Sequence, residues 1–292
     1  MTTFVRRARA RRALTGYALI APAMIATTAV LLIPMALSAY WSLTDYNGLT
    51  APTWVGLHNY VALFHDPRFI RALTNTVTFV LLGMTIGPAL GLCAALLLNE
   101  HVRGRAFYRT AIFLPVTTSL VVVATVWKMM LNEQGIVNAV LGFFGLQGHA
   151  WLADPSTALY AVILVSVWQG LGFEAVVFLA ALQSIPQALY DSARVDGANA
   201  WRRFVHVTLP GLRPTMLFVF VIGIIGSFQV FDQVFVMTQS GPVGSTNTIV
   251  YYLIDRFQAL ELGRASAVAY VLLLILATLS AIQFRLFEER SA

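Results

Sequence analysis

Long apolar stretches separated by short polar gaps dominate this chain. Six intervals carry almost no charge: Arg12 to Asp45, Arg71 to Glu100, Arg109 to Lys128, Asp154 to Tyr190 with only Glu174 inside it, Arg213 to Asp255 with only Asp232, and Arg264 to Arg285. A helix crossing the hydrocarbon core of a bilayer needs about 20 mainly apolar residues, and lipid offers no partner for a free peptide group. Each interval holds one such helix, so the pattern predicts six spans at roughly 14–39, 73–98, 110–131, 157–181, 215–237 and 265–286. After Asp232 the apolar run is interrupted by Gly241, Pro242, Gly244, Ser245, Thr246 and Asn247, turn formers that argue against a seventh span. The expected fold class is all-α and polytopic. It comprises a basic segment 1–13, a single transmembrane domain 14–286 containing a cytoplasmic loop at 182–214, and a short tail 287–292.

Composition narrows the class further. Of 292 residues, 58% are hydrophobic and 11% charged, against about 25% charged in a soluble protein. So few charges cannot cover a water-facing surface, which excludes a soluble enzyme and a disordered chain. The net charge of +6 does not point to nucleic acid, because the basic residues, eighteen of nineteen of them Arg, lie mostly in the gaps between apolar stretches. They report topology instead. With the N-terminus in the cytoplasm, inside segments hold fourteen basic residues: Arg6, Arg7, Arg9, Arg11 and Arg12, then Arg103, Arg105 and Arg109, then Arg194, Arg202, Arg203 and Arg213, then Arg285 and Arg290. The outside segments hold five: Arg68, Arg71, Lys128, Arg256 and Arg264. Both termini are therefore expected inside. The first apolar stretch is too long for a signal-peptide core and no small-residue cleavage site follows it, so it reads as a retained helix. The lone Cys93 excludes an intrachain disulfide.

Within the spans, Gly83, Gly87 and Gly91 recur at every fourth position, a small-residue stripe that lets another helix approach closely. Pro22, Pro34, Pro88 and Pro115 suggest bends, which neighbouring helices make tolerable.

The most structured polar segment runs from Leu182 to Pro214. Pro186 opens a helix, Gln187 to Val195 holds good helix formers, and Asp196-Gly197 breaks it with a turn. A second helix over Ala198 to Val207 would place Trp201, Phe204, Val205 and Thr208 on one face, with Leu209-Pro210 and Arg213-Pro214 stopping it. A helix, a tight turn and an amphipathic helix at the membrane surface make a docking element by shape.

The stretch Tyr190-Asp191-Ser192-Ala193-Arg194-Val195-Asp196-Gly197-Ala198, with Trp201, Phe204 and Leu209-Pro210 after it, resembles the cytoplasmic EAA loop. That loop is the signature of the membrane subunits of ATP-binding-cassette importers of the MetI-like, type I fold. Leu182-Gln183-Ser184-Ile185-Pro186, and Phe231-Asp232 followed by Met237-Thr238 and Gly241-Pro242, resemble the carbohydrate-uptake branch. The motifs lie between Trp168 and Pro242, and the six spans agree over nearly the whole chain. Two name-giving positions differ: Asp191 stands for Glu and Ser192 for Ala. The resemblance implies a permease subunit in the bacterial inner membrane whose loop seats in a groove of an ATPase subunit. Tyr190, Asp191, Ser192 and Ala193 would enter the groove. Asp191 would meet polar or basic groups, Gly197 would make the turn between Asp196 and Ala198, and Trp201 and Phe204 would supply the packing. It also implies an ATPase dimer that binds ATP and magnesium, a second and different permease chain, and an extracytoplasmic sugar-binding protein.

The chain offers no catalytic set of its own. A P-loop needs Gly-Lys-Ser/Thr, whereas the one lysine, Lys128, follows Trp127. His58, His65, His101, His149 and His206 are scattered, so neither a metal nor a cofactor is expected in this chain. Charges within spans are costly and face a cavity or a partner, which singles out Glu174, with Trp168 and Gln169 before it, and Asp232, with Gln229 and Gln233 beside it. Carboxylates and amides accept hydrogen bonds from hydroxyls, and aromatic faces receive sugar rings. Trp168, Gln169, Glu174, Gln229 and Asp232 are therefore the candidate substrate path. The alternative is that each bonds a neighbouring helix or subunit. It stands level for Glu174 and ahead for Asp232, whose motif is common to the sugar branch. A self-sufficient channel or secondary transporter would need a complete path and often internal repeats, and no clear repeat relates the two halves.

Overall fold

The structure, a computed structural model, describes residues 16–100 and 104–288. The basic segment 1–13, Arg103 and Arg290 lie outside the described residues. In chain order the elements are α1 (Gly16–Ser42), a two-strand ribbon of β1 (Thr44–Asp45) and β2 (Thr53–Trp54), α2 (His58–His65) and α3 (Pro67–Asn99). Next come α4 (Arg105–Thr117), α5 (Leu120–Met130), α6 (Ile136–Phe143) and α7 (Ala158–Ser184). The chain continues with α8 (Gln187–Val195), α9 (Ala200–Gly211) and α10 (Arg213–Phe228), α11 (Asp232–Met237), α12 (Ile249–Gln258) and α13 (Leu262–Glu288).

Among the described residues four helices, α1, α3, α7 and α13, are each long and apolar enough to cross a membrane, and two bent pairs, α4 with α5 and α9 with α10, bring the number to as many as six. This bears out the all-α, polytopic expectation and corrects two of the spans. The helix expected over 110–131 is broken at Thr118-Ser119 with a bend of 101°. Pro115 lacks an N–H, and the hydroxyls of Thr117 and Thr118 both turn back to the Leu114 carbonyl, at 2.9 and 3.2 Å. These local bonds compete with the next helical turn, and Thr118 and Ser119 are left extended. The helix expected over 215–237 ends at Phe228, and after the irregular residues Gln229 to Phe231 the short α11 begins at Asp232.

The chain forms two compact units. The first holds the described residues up to Leu63 together with Arg256–Tyr270. Its ribbon is tied by Asn59, whose buried amide donates to the carbonyls of Ser42 (3.0 Å) and Thr44 (2.9 Å). Tyr270 donates to the Met35 carbonyl at 2.6 Å. No residue in the most apolar stretch of α1 is buried within this chain.

The second unit runs from Phe64 to Asp255 and resumes at Val271. Asp66 caps α3 by accepting from the Arg68 N–H at 2.8 Å, and Pro67 opens the helix where its missing N–H costs nothing. The cap explains why α3 starts ahead of the apolar interval. The glycine stripe then lets α7 close on it: a Cβ at Gly91 would lie 2.6 Å from the Glu174 Cβ. Gly172 on α7 makes the same allowance for the Ile112 carbonyl of α4. Two apolar clusters fill the unit, one around Phe79, Val162 and Val234, the other around Phe178, Leu182 and Leu212. In the connection ahead of α7, Asp154 accepts from the side chain and backbone of Ser156 and lies 3.2 Å from His149, contacts that hold its carboxyl below the usual range.

Candidate functional site

Two sites emerge in the second unit. The first is a cleft of about 320 Å³ among α3, α7, α10 and the start of α11. On α7 it is lined by Ile163, Ser166, Val167, Gly170, Phe173 and Glu174, one helical face at spacings of three and four. Gly83 and Gly87 of α3 and Ser227 of α10 form further walls, Gln229 and Phe231 come from the break before α11, and Asp232 and Gln233 from its first turn. The end of α10 thus matters: an unbroken helix would scatter these four residues around its circumference.

The structure brings Glu174, Gln229 and Asp232 to one cleft and leaves Trp168 and Gln169 off it. At about 100° per residue, Gln169 and Trp168 point roughly 140° and 120° away from Glu174. Trp168 packs edge-on against Trp127, with ring centroids 5.4 Å apart. Gln169 is buried, and its amide reaches the Thr118 carbonyl at 3.5 Å, in the break between α4 and α5. Ser166, Ser227, Phe79 and Phe173 also line the cleft, and none carries a charge that would single it out in an apolar run. The helical period through Glu174 leads to Val167 and Gly170, whereas Ser166 and Phe173 sit about 80° and 100° round the helix from it.

Glu174 leans on the glycine stripe. A Cβ at Gly87 would lie 3.0 and 3.1 Å from its two carboxylate oxygens. Its Oε2 is buried and accepts no hydrogen bond among the described residues. Glu174 thus borders the cleft beside the rings of Phe79, Phe173 and Phe231, with its Oε2 packed against the glycine stripe. Its lining carries two carboxylates and no Lys, Arg or His.

The second site is the loop after α7. α8 ends at Val195, Gly197 adopts φ +74°, and Asn199 caps α9 by accepting from the Arg202 N–H at 2.9 Å. The left-handed turn is one that glycine adopts without steric cost. Tyr190 and Thr208 join their hydroxyls at 3.0 Å, clasping α8 to α9. Asp191 and Ser192 are exposed on the outer side of α8, Ala193 is half-buried, and Asp191 pairs with Arg194 at 3.0 Å. The second helix runs to Gly211, past Leu209-Pro210, rather than over 198–207 as expected. A widened turn at Phe204–Thr208, with the Leu209 N–H reaching back to the Phe204 carbonyl, accommodates the proline. The break comes at Leu212 with a 63° bend. The packing role expected of Trp201 also needs correction: its ring stacks on Phe204 at 5.6 Å but stays 70% exposed, while Phe204, Val205 and buried Thr208 face inward.

Comparison with known proteins agrees with this reading. The family model described as "Binding-protein-dependent transport system inner membrane component" matches residues 87–291. The chain is 37% identical to the probable ABC transporter permease protein YesP of Bacillus subtilis (strain 168), over 93% of this chain and 90% of that protein. It is 36% identical to the lactose transport system permease protein LacF of Rhizobium radiobacter, over 94% of each. Among solved structures, a bacterial ABC transporter that imports the acidic polysaccharide alginate aligns with TM-score 0.84 and 28% identity over 96% of both chains. The same kind of transporter in complex with its alginate pentasaccharide-bound periplasmic protein aligns with TM-score 0.81 and 28% identity, over 94% of this chain and 93% of that one.

Proposed function

The chain belongs to the family of binding-protein-dependent transport system inner membrane components, and on that footing we propose that it forms half of the membrane path of an ATP-driven importer for neutral carbohydrate. The cleft is the observation that carries the substrate class. Hydroxyl-rich solutes need paired acceptors and an apolar face, and Glu174, Asp232, Gln229 and the phenylalanines supply both. Two carboxylates without a basic residue disfavour an acidic polysaccharide or a sugar phosphate, because like charges repel strongly in a medium of low polarity.

The remaining assignments follow from the loop and from charge. The excess of arginines puts both termini and the 182–214 segment on the cytoplasmic side. The exposed side of α8, with Asp191 and Ser192, and the Asp196-Gly197 turn, flanked by half-buried Ala193 and Ala198, is the surface for an ATPase dimer, which binds ATP and magnesium. A second, different permease chain completes the path, and an extracytoplasmic binding protein delivers the sugar.

Glu174→Gln keeps the shape of the side chain and removes its charge. Loss of a charge-assisted hydrogen bond is worth about 1.5–3 kcal/mol, or roughly 10- to 100-fold. Half-saturation for uptake should rise by that factor while the amount of assembled complex stays constant, and Glu174→Ala should act in the same direction. Competition assays on the wild-type cells should show displacement by neutral oligosaccharides and none by uronic acids or sugar phosphates. Loss of the complex in Glu174→Gln, with normal affinity in what remains, would assign the carboxylate to helix packing.

A further inference from the structure

Between α5 and α7 lies an amphipathic element that transport as described above does not use. Asn138 fixes the orientation of α6: its Nδ2 donates to the carbonyls of Glu133 (3.0 Å) and His149 (2.9 Å), and its Oδ1 accepts from the His149 N–H (3.1 Å) and Trp151 Nε1 (2.8 Å). Val137 on that side packs against the core cluster around Val162. With the inner face locked, the outer one is fixed too. It consists of Ile136, Val140 and Phe143, 60%, 51% and 86% exposed, and Phe144 and Leu146 follow at 71% and 58%. At about 100° per residue the three helical side chains span an arc of roughly 60°. From Met129 to Ala153 the chain carries one formal charge, Glu133.

We infer that this face is a membrane-interface anchor, with Ile136, Val140, Phe143 and Phe144 seated at the boundary between headgroups and acyl chains. Both ends of the connection are tied to apolar helices. α5 ends at Met130, six residues before α6, and α7 starts at Ala158. The exposed strip of α5, Val122, Val126 and Met129, leads directly into it along the chain. A water-facing connection would carry charge here, and a patch of two phenylalanines and three aliphatic residues in water is an aggregation hazard. The outward face is wholly apolar and carries no charged side chain. An apolar helix face held parallel to a bilayer surface is the arrangement in which such residues are stable. This rests on the spans being in the membrane and not on the substrate assigned to the cleft.

The test uses the assembled transporter in nanodiscs of phosphatidylethanolamine and phosphatidylglycerol. Val140→Cys and Phe143→Cys, each in a Cys93→Ala background, carry a nitroxide, and collision rates with oxygen and with a water-soluble nickel chelate are compared. Gln134→Cys, beside Glu133, is the aqueous reference. Both labels face outward, and uptake by each variant checks that the fold is kept. Oxygen collisions should dominate at 140 and 143, and the order should reverse at 134. Chelate access at 140 and 143 would place the face in water, and protection from both quenchers would place it under a protein partner. Either result overturns the inference.

Discussion

Gly91→Leu should abolish assembly and uptake together. A Cβ at Gly91 already meets the Glu174 Cβ at 2.6 Å and the Glu174 backbone carbon at 3.3 Å, so the obstacle includes main chain that cannot rotate away. The larger side chain forces α3 off α7, opening the packing around Ala95, Phe178 and Leu182 and the cleft wall at Gly87. Overpacking a close contact costs about 1–3 kcal/mol and more where backbone is involved, a large share of the few kcal/mol by which a folded state is favoured. The variant should be recovered at low yield and aggregate on size-exclusion chromatography in detergent. Gly142→Ala, whose added Cβ meets nothing within 4 Å, should behave as wild type. A well-assembled Gly91→Leu would mean that α3 and α7 are not in the contact described.

Uptake should also fall to the level of cells lacking the chain in Gly197→Pro and in Asp191→Arg, with membrane insertion unchanged in both. The two act differently. Proline fixes φ near about −65°, whereas Gly197 sits at +74° and donates its N–H to the Arg194 carbonyl at 3.0 Å. The turn is lost, and with it the register that lets Tyr190 meet Thr208. Asp191→Arg leaves every buried contact alone and reverses the charge on an exposed surface already occupied by Arg194. If only the proline variant fails, the loop needs its fold but Asp191 is not read by a partner. Normal uptake in both would sink the coupling role.

Charge spacing made most of the spans legible, because a bilayer admits long apolar helices and little else. The same rule hid the breaks. Thr117-Thr118-Ser119 is apolar enough to pass inside a span, and only the hydroxyls bonding back to Leu114 reveal that the helix stops. Gln229 to Phe231 likewise read as one span with what precedes them, yet their irregular backbone sends Gln229, Asp232 and Gln233 to the cleft. For the site, Glu174 was visible as a lone charge in an apolar run. Trp168 and Gln169 lie near Glu174 in sequence, but helical period turns them to other faces. The glycine stripe announced a close approach, but that Glu174 fills the space beside Gly87 and Gly91 is a fact of tertiary packing. In the loop, the Gly197 turn was readable from residue type, whereas the Tyr190–Thr208 clasp joins residues from two helices and has no local signature.

The most direct test of the central claim is to purify the tagged chain from its native membrane in mild detergent, identify what accompanies it, and measure ATP hydrolysis. An ATPase and a second permease should co-purify, and a binding protein loaded with a neutral sugar should stimulate hydrolysis, whereas the unloaded protein should not. A chain that purifies alone, hydrolyses no ATP and still moves solute across liposomes would contradict the account.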